Sequence, residues 1–121
     1  MSDPLAIATR YLDTWNENDP QRRRRLLAES WSDDARYVDP LMSGSGAAQI
    51  DGLIGAVQAR FPGFRFAVLG APSGHGDHVR FSWSLGPAGA EAPIKGSDVV
   101  ELRDGKIAKV IGFLDQVPAA A

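Results

Sequence analysis

The stretch IKGSDVVELRDGKIAKVIGFLD, residues 94–115, predicts a β-hairpin. Its turn is the Asp-Gly pair at 104–105, because Asp-Gly between two runs of strand-forming residues is a strong hairpin signal. In the first strand Val100 and Leu102 share a face with Asp98, whereas the opposite face carries two charged residues. Since side chains alternate between the two faces of a strand, the aliphatic face is the inner one. The pattern therefore predicts that Asp98 points into the protein.

A carboxylate at such a position has two interpretations. Burial of an ionised carboxylate without partners is costly, so the group either gains hydrogen-bond donors or raises its pKa. Asp98 is accordingly a structural hydrogen-bond acceptor or a functional acid, and a β-bulge near a strand end would reverse its orientation. The sequence around position 98 leaves both interpretations open.

The two segments before the hairpin have the same period of two. FRFAVLG at 64–70 places its two phenylalanines and its valine on one face, and HVRFSWSLG at 78–86 alternates apolar and polar residues. Glycine-rich turns separate these segments from each other and from the hairpin. A meandering antiparallel sheet is predicted.

Three amphipathic helices are predicted in the part of the sequence that precedes these strands. The Asp-Pro pairs at 3–4 and 19–20 each supply an N-cap followed by proline at the first helical position. The first helix is expected over about 4–17, and the third carries apolar residues at 50, 53, 54, 57 and 61. The predicted class is α+β, with three N-terminal helices packed on a curved antiparallel sheet, in a single domain over 1–121.

The composition indicates which classes of partner and which cellular compartment to expect. Thirteen basic and fifteen acidic residues give a formal charge of −2, which does not favour nucleic acid or an anionic membrane. The chain has no cysteine, which excludes disulfides and thiolate chemistry, and no apolar run long enough for a membrane span. An acidic start does not resemble a signal peptide. We expect a cytoplasmic protein with no nucleic-acid partner, no membrane and no cofactor.

Two polar segments are interpreted as surface features. Four arginines at 22–25 predict a solvated helix face beside acidic neighbours, with a nucleic-acid patch as the alternative. His75 and His78 flank Asp77 at a glycine-rich turn, and no second cluster completes a four-ligand metal set. We expect an ordinary surface turn and no metal, with a role at a pocket mouth as the alternative for either histidine.

The segment RYVDPL, residues 36–41, offers a second carboxylate. Tyr37 and Asp39 are two residues apart and so share a face, while Pro40 holds Asp39 in an extended conformation. Because Asp-Pro often opens a turn, Asp39 is either a turn residue or, if Tyr37 points inward with it, a candidate acid or base.

The order of elements, together with ATRYLDTWNENDP, ARYVDPL, RFPGFRF and GSDVVELRDGKIAKVIGFLD, resembles SnoaL-like proteins of the nuclear transport factor 2-like superfamily. The resemblance covers essentially the whole chain. It implies a cone in which the helices and sheet enclose an internal pocket, and a homodimer formed through the outer sheet face. The scaffold hosts cyclases, isomerases, dehydratases, epoxide hydrolases and binding modules, so the fold does not settle the function.

Three enzymatic relatives assign roles to individual residues. Ketosteroid isomerase uses a general-base Asp with a Tyr and a protonated Asp as oxyanion donors; Asp39, Tyr11 and Asp98 are similar in place. In SnoaL polyketide cyclases the acid/base aspartate resembles Asp98. In limonene epoxide hydrolase a Tyr and an Asn fall where this chain has Tyr37 and Asp39.

The epoxide hydrolase likeness is the least supported. Its arginine would be expected at the position of Gly96, and its second aspartate would come from the last strand, where the register offers Gly112 or Asp115.

The resemblance and the carboxylate pattern together suggest acid/base chemistry. Asp39 would remove a proton beside a carbonyl group, and protonated Asp98, assisted by Tyr11 or Tyr37, would stabilise the enolate. An apolar wall would bind a small hydrophobic molecule through Trp15, Trp31, Met42, Phe61, Phe66, Phe81 and Trp83. The alternative is a non-catalytic ligand-binding or dimeric interaction module, in which fixed hydrogen bonds occupy both carboxylates.

Overall fold

The computed structural model describes residues 3–118, which form three helices and six strands. The helices are α1 (Pro4–Asn16), α2 (Pro20–Ser30) and α3 (Gly46–Arg60). The strands are β1 (Trp31–Val38), β2 (Ser43–Ser45), β3 (Phe64–His75), β4 (His78–Pro87), β5 (Ile94–Arg103) and β6 (Lys106–Gln116). The three helices pack on one six-stranded sheet, which agrees with the predicted α+β class. None of the helices in this range is long and apolar enough to span a membrane.

The sheet has the strand order β2-β1-β6-β5-β4-β3 and is not closed. β1 runs parallel to β6, and every other neighbouring pair is antiparallel. The prediction of an antiparallel sheet is therefore wrong at this pair, and the sheet is mixed. Tight turns force neighbouring strands to be antiparallel, but α3 and four strands lie between β1 and β6, so their connection imposes no such direction.

The β5–β6 hairpin confirms the interpretation of residues 94–115. Asp104 and Gly105 occupy the turn with φ values of 54° and 78°, the left-handed conformation that two-residue hairpin turns of this type require. On β5 the residues at 96, 98, 100 and 102 are all buried, and Asp98 is only 2% exposed. The inward orientation predicted for Asp98 is confirmed.

The helix openings follow the predicted Asp-Pro pattern. Pro4 and Pro20 begin α1 and α2, and the Asp19 carboxylate accepts a hydrogen bond of 3.1 Å from the Arg22 backbone N–H. α1 ends at Asn16, whose amide side chain makes two hydrogen bonds, of 2.9 and 2.8 Å, with the backbone of Phe66. This reciprocal pair fixes the end of α1 against β3.

The four arginines at 22–25 do not all lie on a solvated face. Arg23 is 5% exposed, and its guanidinium donates to Asp51 at 2.5 Å, to Gln58 at 2.8 Å and to the Glu17 carbonyl at 3.1 Å. Consecutive helical residues are about 100° apart, so four in a row surround most of the helix and one of them must face α3. The prediction of a solvated face is wrong at this position, while the other three arginines are exposed.

Replacing Arg23 should destabilise the fold strongly. Arg23→Ala leaves Asp51 partly buried without its cation, and we expect a loss of about 3 kcal/mol in the free energy of unfolding. Arg24→Ala, one position along on an exposed face, should change it by less than about 0.5 kcal/mol. Urea unfolding of both variants measures the difference, and equal midpoints would show that the Arg23 network contributes nothing.

Candidate functional site

A pocket of about 690 Å³ lies between α1, α3 and the inner face of the sheet. The structure brings together around it nine of the residues selected from the sequence: Tyr11, Trp15, Tyr37, Asp39, Met42, Phe61, Phe66, Trp83 and Asp98. The remaining two, Trp31 and Phe81, lie outside its lining. They are core residues 1% and 2% exposed, and their rings pack on that of Tyr11 with centroid distances of 5.5 and 5.4 Å.

The pocket lining also includes residues that sequence reasoning did not select. Val57 and Leu114 could have been found from the helical and strand periodicities that place them on inner faces. Arg60 is the added charged residue, at the end of α3, with its guanidinium 5.7 Å from the centroid of the Phe61 ring. Val117 and Pro118 follow the last strand, where the sequence carries no periodic signal.

Asp39 is held by fixed hydrogen bonds on both carboxylate oxygens. The Tyr37 hydroxyl donates to Oδ2 at 2.6 Å, and the backbone N–H groups of Leu41 and Met42 donate to Oδ1 at 2.8 and 2.9 Å. Tyr37 is buried and points inward. Asp39 therefore anchors a turn and also lies beside the pocket, and its role as an acid or base stays a prediction.

Asp98 has the opposite environment. It is deeply buried, and its Oδ1 has no hydrogen-bond partner within residues 3–118. Burial raises the pKa of Asp98 to about 6, because the ionised form loses its hydration. Interactions with the Tyr11 hydroxyl and the Trp83 indole oppose this increase, and the negative charge of Asp39 adds to it.

Gly112 is the point where these groups converge. It pairs directly with Asp98 across β5 and β6. A Cβ placed on Gly112 would lie 2.9 Å from Asp98 Oδ1, 3.2 Å from Asp39 Cβ and 3.4 Å from the Tyr37 hydroxyl. The two carboxyl groups and the tyrosine approach one another because position 112 has no side chain. Asp115, the other residue considered on this strand, lies on the outer face and accepts a hydrogen bond of 2.6 Å from Ser97.

The two tyrosines are neutral donors. Burial raises the pKa of Tyr11 well above its ordinary value, and the charge of Asp98 adds to this. Burial likewise raises the pKa of Tyr37, with contributions from the charge of Asp98 and from the hydrogen bond to Asp39. Both phenols therefore keep their protons at neutral pH and can donate hydrogen bonds.

Trp83 occupies the space next to Gly96. A Cβ on Gly96 would clash with the indole of Trp83, so a larger residue at 96 requires that ring to move. Gly96 stands where an epoxide hydrolase would carry its arginine, and in this chain the Trp83 ring fills that part of the site. The arginine that the resemblance to epoxide hydrolase would require is therefore missing at position 96.

The two histidines lie at the β3–β4 turn, away from the pocket lining. They pair across the two strands, and His78 Nε2 is 3.5 Å from an oxygen of Glu101. In the described part of the chain, no three His, Asp or Glu side chains are grouped so as to hold a metal ion.

Comparison with known proteins identifies the family. A family model for the SnoaL-like domain matches residues 8–110, most of the chain. The protein belongs to the SnoaL-like family. Its fold is that of the nuclear transport factor 2-like superfamily, and a comparison with curated proteins gave no match.

Solved structures include a close relative of this SnoaL-like protein. A "putative isomerase of the SnoaL-like family" from Agrobacterium tumefaciens is 46% identical, with 95% of this chain and 99% of that chain covered and a TM-score of 0.90. A "putative ketosteroid isomerase" from Kribbella flavida is 21% identical, with 98% and 82% covered and a TM-score of 0.70. A "putative SnoaL-like polyketide cyclase" from Jannaschia is 15% identical, with 98% and 93% covered and a TM-score of 0.72. The last two share the fold alone.

The raised pKa of Asp98 predicts a pH-dependent stability. The folded protein binds this proton more tightly than the unfolded chain, in which Asp has a pKa near 3.8. The folded state therefore loses stability as the pH rises from about 4 to about 6, and the loss persists above that window. Relative to wild type, Asp98→Asn should gain stability across the same window, by about 2–3 kcal/mol at pH 7.

Urea unfolding at a series of pH values measures this gain. Asp104→Asn is the matched control, because it removes an exposed carboxylate from the same hairpin and keeps a residue suited to the turn. Its stability should follow the wild-type pH profile. A pH-independent difference between Asp98→Asn and wild type would show that Asp98 titrates alike in both states.

Proposed function

We propose that the protein is an isomerase or cyclase that uses no cofactor and catalyses proton abstraction beside the carbonyl group of a small hydrophobic compound. The proposal includes the cone-shaped pocket and the single-domain organisation expected from the family resemblance. The observation that carries it is the carboxyl group of Asp98, which is buried at an apolar pocket with one oxygen unpartnered. Such a group can accept a proton without first breaking a protein hydrogen bond.

In this proposal Asp98, and not Asp39, is the base. Every oxygen of Asp39 already accepts a hydrogen bond from Tyr37 or from the following turn. Asp98 has a pKa of about 6, close to neutral pH, where a general base combines an ionised form with adequate basicity. Asp39 then acts as a positioning residue for Tyr37, and its charge raises the proton affinity of Asp98.

The proposed proton transfers require only side chains of the protein. Asp98 takes a proton from the carbon beside the carbonyl, and the electron pair of the C–H bond forms an enolate. The neutral hydroxyl of Tyr11, which interacts with Asp98, is placed to donate a hydrogen bond at this end of the pocket. In an isomerase the new carboxylic acid returns the proton to a different carbon. In a cyclase the enolate carbon attacks a second carbonyl of the same molecule, and the acid protonates the resulting alkoxide.

The pocket wall supports an apolar substrate. Trp15, Phe66 and Trp83 follow one another along it, with centroid distances of 5.5 Å between Trp15 and Phe66 and 5.2 Å between Phe66 and Trp83. Met42 and Phe61 are the other predicted wall residues that line the pocket, whereas Trp31 and Phe81 do not line it. The volume of about 690 Å³ lies within the range of small-molecule sites.

Exchange of an acidic C–H proton with solvent deuterium tests the proposal without knowledge of the natural substrate. A panel of small apolar ketones beginning with 1-tetralone would be followed by proton NMR in D₂O. Wild type should accelerate the exchange, and Asp98→Asn should reduce that acceleration by about 100-fold or more. Since the base must be ionised, the rate should rise with pH through about 6 and then level off.

Two further variants sharpen the exchange experiment. Asp104→Asn, on the exposed turn, should keep the wild-type rate. Asp39→Asn should keep most of the activity if Asp39 only positions Tyr37, and should abolish it if Asp39 is the base. Wild-type activity in Asp98→Asn would refute the assignment of Asp98.

A ligand-binding module without catalysis is the second candidate. The observation in its favour is the complete hydrogen bonding of Asp39, which resembles a structural carboxylate more than a reactive one. It predicts that ketones bind but that their exchange rates stay at the solvent background.

The proposal also includes a homodimer through the outer sheet face. Val99 and Ile111 pair on that face and are half-buried, and the neighbouring Phe113 is 52% exposed. Apolar side chains of this kind are what a protein interface covers. Light scattering should give twice the mass of the chain, and Phe113→Lys should shift it toward the monomer. A monomeric mass for wild type would exclude the dimer.

A further inference from the structure

Two of the three tryptophans have buried indole N–H groups without a partner. Trp15 and Trp83 are 4% and 7% exposed, both line the pocket, and neither Nε1 has an acceptor in good hydrogen-bond geometry within residues 3–118, although the Trp83 indole is close enough to Asp98 to lower the pKa of that carboxyl group. Trp31, by contrast, donates to the Thr14 hydroxyl at 3.4 Å. Buried tryptophans usually place this N–H against an acceptor, because leaving it unsatisfied costs stability.

Trp83 is the one placed next to the proposed base. Trp83 on β4 pairs with Gly96 on β5, and Asp98 follows two residues later on the same inner face. A Cβ on Gly96 would lie 2.7 Å from Trp83 Cε2, the ring carbon bonded to Nε1. The Cζ2–Cε2 edge of the indole therefore lies over β5, and the interaction of the Trp83 indole with Asp98 places its N–H near that carboxyl group.

The unpartnered atoms at this place are complementary in chemistry. Asp98 Oδ1 accepts protons or hydrogen bonds, and Trp83 Nε1 only donates them. A ketone or other carbonyl compound presents the matching pair, an oxygen acceptor and, one bond away from the carbonyl carbon, an acidic C–H. A hydrocarbon of the same shape offers neither.

We propose that the Trp83 indole N–H binds the carbonyl oxygen of the substrate and thereby sets the carbon beside that carbonyl against Asp98. This inference rests on the proposed function and narrows its substrate class to apolar compounds with a carbonyl at the buried end. When Asp98 removes the proton, negative charge moves to the oxygen bound by Trp83, so the hydrogen bond strengthens as the enolate forms. Trp83 is then a catalytic residue, and Gly96 gives its ring the space to reach this position.

Indole NMR resonances test the inference directly. The full chain contains three tryptophans, so the ¹⁵N-labelled protein gives three indole N–H signals, which Trp15→Phe and Trp83→Phe assign. The probes are 1-tetralone and tetralin, which share two fused rings and differ in the carbonyl oxygen. We expect 1-tetralone to move the Trp83 N–H proton downfield and tetralin not to do so, while Trp31 serves as the reference with an existing partner.

Affinities from the same titrations add a second readout. Trp83→Phe removes the same apolar contact from both probes but a hydrogen bond from the ketone alone, so the ratio of 1-tetralone affinity to tetralin affinity should fall by roughly 2- to 12-fold. If Trp83→Phe does not fold, the comparison of 1-tetralone with tetralin on the wild-type protein still tests the inference.

Three results would overturn the inference. One is an equal Trp83 shift with both probes, and a second is the absence of 1-tetralone binding. The third is a Trp83 N–H chemical shift that changes with pH near 6, as Asp98 titrates, but does not change when 1-tetralone is added. That result would make the indole a donor to Asp98 alone. If 1-tetralone shifts the Trp83 N–H signal but its protons do not exchange, the Trp83 contact is supported and only the catalytic proposal is refuted.

Discussion

The parallel pairing of β1 with β6 is the constraint on which the candidate site depends. It sets Val38 opposite Ile111, so the next residues, Asp39 and Gly112, come together where β1 ends. The antiparallel pairing of β6 with β5 then sets Gly112 opposite Asp98. Two carboxyl groups that are distant in the chain become neighbours only through this strand. A shift of one residue in either pairing would turn one carboxylate to the outer face, because side chains alternate along a strand.

The two carboxylates accept different numbers of hydrogen bonds, and this difference gives them different properties. Asp39 lies at a turn, where free backbone N–H groups and the Tyr37 hydroxyl satisfy it. Asp98 lies in the middle of β5, where the backbone N–H groups belong to the sheet and cannot serve it. Its charge is therefore poorly compensated, and its pKa rises. Such an uncompensated group lowers stability at neutral pH, a cost that functional sites commonly carry.

The periodicity of the sequence predicted those features of the site that depend on residues close together in the chain. Alternation along 94–103 placed Asp98 inward, and the Asp-Gly turn fixed the register of its hairpin. The same reasoning failed where the outcome depends on segments remote in sequence. Arg23 faces inward because α3 supplies Asp51 and Gln58 opposite it, and no pattern within α2 shows this. The parallel β1–β6 pair was missed for the same reason, and with it the role of Gly112 as the meeting point.

Two glycines lie close to Asp98, Gly96 on its own strand β5 and Gly112 opposite it on β6, and they leave room for the candidate site at this part of the inner face. At Gly112 the missing side chain leaves room for the Asp98 carboxyl group beside Asp39 and Tyr37. At Gly96 it leaves room for the Trp83 ring to lie across β5. Elsewhere on this face residues such as Val100 and Val110 fill the interior and are fully buried. The glycines thus remove apolar volume at the two places where a proton acceptor and an N–H donor need to reach the same pocket.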